Sequence, residues 1–148
     1  MHIFKADQAT DEILQAVNRL SRHLGDGKPP LLSTELLALI SSTSSTLILA
    51  RHPDEHGPIV GMLTLIVYRV PTGIRSIIED VVVDESARGQ GIAKAMMHHA
   101  IEVAREAGAA GIALTSNPRR VAANKLYQTL GFEQRETNAY YLKIEQAT

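Results

Sequence analysis

The strongest chemical signal in this chain is Arg88-Gly89-Gln90-Gly91-Ile92-Ala93-Lys94. A run of strand formers, residues 77–83, leads into it through Asp84-Glu85-Ser86, and a helical pattern over residues 91–107 follows. Strand, glycine turn and helix together present backbone N–H groups to a ligand. The first amides of a helix have no intrahelical partner, and the macrodipole adds partial positive charge beside them. Gly89 and Gly91 remove the Cβ atoms that would hold a ligand off that backbone, and Arg88 and Lys94 add charge of the right sign. The expected ligand is an anion that carries phosphate. A Walker loop needs Lys followed by Ser or Thr after its second glycine, and Ile92-Ala93-Lys94 does not supply them. A dinucleotide fingerprint needs a third glycine where Lys94 stands. What remains is the spacing R-x-x-G-x-A, from Arg88 to Ala93.

A second signal lies just upstream. Glu79 and Asp80 interrupt an otherwise apolar strand, and alternation sends the two side chains to opposite faces. A carboxylate in a central strand is costly to bury unless it is paired. Burial also raises a carboxylate's pKa, which suits a general base. Glu79 is the candidate base for an amine substrate, acting directly or through a water. An ion pair or a polar contact at the strand end is the structural alternative.

The Arg88-to-Ala93 spacing resembles the acetyl-CoA pyrophosphate loop of the GNAT N-acetyltransferase superfamily. A second block, residues 117–133 (NPRRVAANKLYQTLGFE), is similar to the second diagnostic block of that family, with its Asn, its Tyr and its Leu-Gly-Phe ending. The blocks stand in family order and, with the preceding strand, cover residues 77–133. The resemblance implies acetyl-CoA as cosubstrate, its pyrophosphate wrapped by Arg88, Gly89, Gln90, Gly91, Ile92, Ala93 and Lys94. It implies that the backbone of Val81, Val82 and Val83 meets the pantetheine arm, where the family's strand bulges and parts from its neighbour, and that an amide there polarises the thioester carbonyl. It implies Tyr127 as the acid for the departing thiolate. A tyrosine packed on the sheet with a wet hydroxyl is the alternative. Asn117 and Asn124 would offer amides to the peptide-like arm, with helix capping as the rival role for Asn117. Arg119 and Arg120 either reach a CoA phosphate or are solvated surface charge. Tyr140 and Tyr141, after Asn138, either border the acceptor or form a cross-strand pair.

The elements that must hold these residues read as β-α-α-β-β-β-α-β-α-β-β. A strand over residues 2–6 precedes a helix capped by Thr10 or Asp11, with Ile13, Leu14, Val17 and Leu20 at helical spacing. Ser33 or Thr34 would cap a second, short helix. Strands follow at 46–51, 59–69 and 74–83, then the helix 91–107, a strand at 110–115 and a helix that opens near Pro118 and stops at Gly131. Residues 132–135 and 139–144 read as closing strands. This order predicts an α/β (α+β) fold in a single domain over residues 1–148. Its core would be a central, mixed and mostly antiparallel sheet with helices on both faces, and the resemblance implies a GNAT-like fold of the same kind.

The chain as a whole narrows the function further. Its 148 residues carry 15 basic and 16 acidic side chains, a net charge of −1. That argues against nucleic acid as a partner. With no cysteine, disulfides, thiolate metal sites and a cysteine nucleophile are excluded. His98 and His99 are adjacent rather than spaced at i, i+4, and no metal is expected. No apolar run has membrane-spanning length, and the N-terminus lacks the apolar core of a secretory signal, so the expected location is cytoplasmic. The reading is an N-acetyltransferase. An amine of a small molecule, a peptide or a protein attacks acetyl-CoA directly in a ternary complex, since no nucleophile for a covalent intermediate is visible. A homodimer is an open expectation. The rival readings are a non-catalytic acyl-CoA-binding or regulatory module on the same fold and a nucleotide-binding protein that uses the same loop.

Overall fold

β1 (His2–Lys5) leads to Thr10, whose hydroxyl accepts the Ile13 amide at 3.2 Å and caps α1 (Asp11–Ser21). Asp11 and Glu12 stand in the first turn, where the positive end of the dipole favours them. Ile13, Ala16, Val17 and Leu20 form the buried stripe that helical spacing predicts. After a 3₁₀ turn (Arg22–Leu24) the loop is tied back by Asn18. Its amide nitrogen donates to the Leu31 carbonyl at 3.1 Å and its oxygen accepts the Leu31 amide at 2.7 Å. In α2 (Ser33–Ser41) the cap differs from expectation. Ser33 is already helical, and the Glu35 carboxylate reaches back to accept the Leu32 amide at 2.9 Å.

β2 (Ser45–Arg51), β3 (Ile59–Val70) and β4 (Gly73–Val83) form an antiparallel meander, with Pro71-Thr72 as the tight turn between the last two. β1 pairs antiparallel with β2. A parallel neighbour needs a crossover, and α3 (Ile92–Glu106) provides it, delivering β5 (Ile112–Ala113) parallel to β4. The sheet therefore runs β1-β2-β3-β4-β5, mixed and mostly antiparallel as expected. Register aligns Leu49, Met62 and Val82 in one row, and that row shares a core with Ile13, Ala16, Val17 and Leu20 of α1 and Leu36 of α2. The next row, Ala50 and Gly61, faces the other way toward α3. A Cβ at Gly61 would stand 2.9 Å from Met96 Cε, so the glycine lets the helix approach. Helices thus cover both faces, which explains why Leu47, Ile48, Leu49 and Ala50 are all buried although strand alternation sends them in opposite directions.

The structure is a computed structural model that describes residues 1–146, and it forms two compact units, one over Met1–Thr115 and one from Ser116 onward. The elements above all belong to the first. The second opens with a turn in which the Arg120 amide donates to the Asn117 carbonyl at 3.0 Å. Pro118 sits in this turn rather than in the helix, because α4 (Val121–Thr129) begins three residues later than its position suggests. Gly131, at φ +97°, ends α4. The Gly131 amide donates to the Gln128 carbonyl at 3.0 Å and the Phe132 amide to the Tyr127 carbonyl at 3.0 Å. The Tyr127 and Phe132 rings meet edge to face with centroids 6.0 Å apart. This is a Schellman cap with its apolar contact, and it gives the Leu-Gly-Phe sequence a physical reason.

Two expectations fail. The closing strands at 132–135 and 139–144 are not formed, and Tyr140, Tyr141, Leu142 and Ile144 are exposed. Strand formers have the propensity, but a strand exists only where a partner takes its backbone groups, and none does so there. The strand expected at 110–115 shrinks to Ile112–Ala113 for the same reason, since the ladder with β4 holds only the pairs Ser76–Ile112 and Ile77–Ala113. Among the described residues no helix is long and apolar enough to cross a membrane.

Candidate active site

β4 departs from regularity where the chemistry was expected. Met62 pairs with Val82 and Thr64 pairs with Glu79, so Leu63 alone stands opposite Asp80 and Val81. This is a β-bulge. Asp80 takes up the extra residue with φ +55°, a left-handed conformation that Asp tolerates better than most residues. As a result Glu79 and Asp80 are both exposed while Val81 and Val82 are both buried, an order strict alternation cannot produce. The sequence placed Glu79 in a buried setting, but it is exposed, on the face opposite the buried Ser76 and Ile78, and the bulge that follows turns Asp80 outward as well. The ladder to β5 has ended by Ile77, so this bulged half of β4 runs on without β5 beside it.

The glycine loop follows directly. A 3₁₀ turn (Glu85–Ala87) buries Ala87, and Arg88 Nε donates to the Val83 carbonyl at 3.1 Å, folding the loop back on the strand end. Gly89 and Gly91 have φ of +76° and +78°, and a Cβ built on either would meet no atom within 4 Å. The conformation therefore calls for glycine, and the space beside it is open. Gly91 is the residue before α3, and α3 has neither a side-chain cap nor an acidic residue in its first turn. α1 has both. The leading amides of α3 are thus left to an outside acceptor, with Gln90 and Lys94 exposed around them. This arrangement fits a phosphate-bearing ligand.

A cluster that the sequence did not suggest holds the root of this loop. The Asp84 carboxylate lies 3.2 Å from Arg19 Nη2 and 3.5 Å from His23 Nε2, with its side chain 18% exposed. Arg19 also donates to the Ile59 carbonyl. Nothing local in the sequence links a position in α1 with one at the end of β4.

In the second unit Asn117, Arg119, Arg120 and Asn124 gather around the start of α4. Asn117 Oδ1 accepts the Arg119 amide at 2.9 Å, so it organises a turn and is not the residue that caps α4. Asn124 Nδ2 donates to the carbonyls of Asn117 and Arg120 at 3.0 and 2.9 Å. Both side chains thus brace the turn. Tyr127 is buried on α4. Burial pushes its phenol above the usual 10, and the Arg120 guanidinium pulls part of that back, so the hydroxyl keeps its proton at neutral pH. Arg119 and Arg120 are exposed, as are Asn138, Tyr140 and Tyr141.

Comparison with known proteins gives a consistent picture. Residues 13–132 match the model of the Acetyltransferase (GNAT) family. N-acetyltransferase family 8 member 2 of Rattus norvegicus is 30% identical over 93 residues, which are 62% of this chain and 40% of that protein. The chain spans less than half the length of that relative. The crystal structure of a Trypanosoma brucei acetyltransferase superposes with a TM-score of 0.77 at 27% identity, covering 96% of this chain and 99% of that one. An aminoglycoside acetyltransferase from an uncultured soil metagenomic sample shares the fold, with a TM-score of 0.83 at 18% identity over 97% of this chain and 96% of that one.

Proposed function

The chain belongs to the GNAT acetyltransferase family, and from that premise we propose that it moves an acetyl group from acetyl-CoA to an amine of a small-molecule, peptide or protein acceptor. The observation that carries the reading is the sequence of features along one strand: the bulge at Asp80 and Val81, the end of the β5 ladder, and the open glycine cradle before α3.

Acetyl-CoA, when bound, supplies a thioester carbonyl as electrophile. The amides of Gly89 to Lys94 hold its pyrophosphate, with Arg88 and Lys94 lowering the energy of the added charge. Backbone groups of Val81, Val82 and Val83 hold the arm and stabilise the oxyanion as the new C–N bond forms, an effect worth about 3 kcal/mol in comparable sites. Glu79, exposed beside the bulge, takes the proton that the amine loses. As the C–S bond breaks, its electron pair stays on sulfur and Tyr127 gives that sulfur a proton. The role of Tyr127 rests on the family resemblance of its segment and on a phenol held neutral by burial.

The test is a panel of primary amines incubated with acetyl-CoA, followed by release of CoA thiol. Turnover with one acceptor class supports transfer. Acetyl-CoA binding without turnover on any amine would favour an acyl-CoA-binding module, and no binding at all would remove the cosubstrate assignment.

A further inference from the structure

We infer that Arg19, His23 and Asp84 are positioning residues for the glycine loop and set how tightly the chain holds its phosphate-bearing cosubstrate; this rests on the functional reading above. Asp84 is the hinge between sheet and loop. Its amide donates to the Val60 carbonyl at 2.8 Å, which ends the sheet, and its carbonyl accepts the Ala87 amide at 2.9 Å, which starts the 3₁₀ turn. Its carboxylate is held from α1 by Arg19, and His23 of the 3₁₀ turn after α1 stands 3.5 Å from it. The same guanidinium holds the Ile59 carbonyl at the start of β3. One side chain therefore ties α1 to the beginning of one strand and the end of another, at the point where the loop departs.

Two consequences follow for the ligand. Loop amides converge on a phosphate only if the root of the loop is fixed, and a root that must be ordered on binding lowers affinity. The second is electrostatic. Asp84 is a carboxylate five positions before Gly89, at the entrance to a site built for an anion. Arg19 cancels a charge that would otherwise repel the ligand. Losing Arg19 therefore does more harm than losing Asp84, because only the first leaves a mostly buried carboxylate without its permanent cation, with His23 alone beside it at 3.5 Å.

The experiment is calorimetry of acetyl-CoA on full-length wild type, Arg19→Gln, Asp84→Asn and the double variant, with thermal unfolding of each. Arg19→Gln is expected to raise Kd about tenfold and Asp84→Asn about twofold, with the double variant close to Asp84→Asn alone. Arg19→Lys keeps the charge but cannot span both partners, and falls between wild type and Arg19→Gln. KM for acetyl-CoA follows Kd, while kcat at saturating acetyl-CoA and the KM of the acceptor stay at wild-type values. A lower unfolding temperature in Arg19→Gln with wild-type Kd would reduce the cluster to a structural clamp and overturn the inference. Should Arg19→Gln not fold, Arg19→Lys and Asp84→Asn test the same ordering of Kd. If wild type itself binds no acetyl-CoA, the functional reading fails and this inference with it. If wild type binds and only Gly91→Val loses affinity, the inference fails alone.

Discussion

At the scale of single residues, the clearest demand is at Gly91. Its φ of +78° strains any residue with a Cβ by roughly 1–2 kcal/mol, and a β-branched side chain would also fill the cradle. Gly91→Val should remain folded with its unfolding free energy lowered by about that amount, and its acetyl-CoA Kd should rise at least ~10-fold by calorimetry. An unchanged Kd would remove the loop from the cofactor site. Tyr127 makes two separate predictions. Tyr127→Phe keeps the ring packed on Phe132 and should lower kcat by roughly 10²-fold, with Kd for acetyl-CoA little changed; equal losses in both would make it a binding residue. Its raised pKa also links folding to pH. The folded state holds the phenolic proton more tightly than the unfolded one, so this contribution is fully present below pH 10 and is lost as pH rises beyond it. Unfolding free energy of wild type should therefore fall more steeply above pH 10 than that of Tyr127→Phe, and parallel curves would refute the linkage. The glycine loop was legible in the sequence because its demands are local. The pairing of Arg19 with Asp84, 65 positions apart, was not, since no local pattern joins them. Nor was the left-handed turn at Asp80, because Asp visits that region only as a minority conformation.

At the scale of elements, the close approach of α3 to the sheet depends on Gly61. Gly61→Ala would place a methyl 2.9 Å from Met96 Cε and 3.2 Å from its sulfur. Met is flexible enough to yield, so the expected loss of stability is only about 1 kcal/mol, read as a small fall in unfolding temperature. A much larger loss would mean that the Met96 side chain cannot give way. Helices and the meander were legible because apolar periodicity and turn residues are written in adjacent positions. Their boundaries moved where partners rather than propensity decide. Pro118 stopped in a turn because Asn117 and Asn124 organise one ahead of α4. The stretch around Tyr140 has the composition of a strand and no ladder to join. The exposure of Asp80 beside Glu79 could not be read from the pattern, since an alternating pattern contains no sign of an extra residue.

At the scale of the whole molecule, burial is unevenly shared. Among the described residues, every apolar residue that forms the buried core, apart from Tyr127, lies within Met1–Thr115. A fragment ending at Thr115 should therefore unfold cooperatively by circular dichroism, while the proton donor proposed at Tyr127 is gone and turnover with it. A broad, non-cooperative transition would show that the first unit needs the second to fold. The bulge in β4 has a further consequence, for inheritance rather than for chemistry. Between the pairs Met62–Val82 and Thr64–Glu79 one strand advances two residues and its neighbour three. Removing a single codon there would restore an even count and turn either the Glu79 side or the Val82 side of the strand to the opposite face. The exposed Asp80 position can vary only among residues that accept its left-handed backbone, chiefly Gly, Asn and Asp, and the number of residues between Glu79 and Val82 is fixed as well. Among descendants of this gene, substitutions at that position should stay within Gly, Asn and Asp, and insertions and deletions should stay out of it.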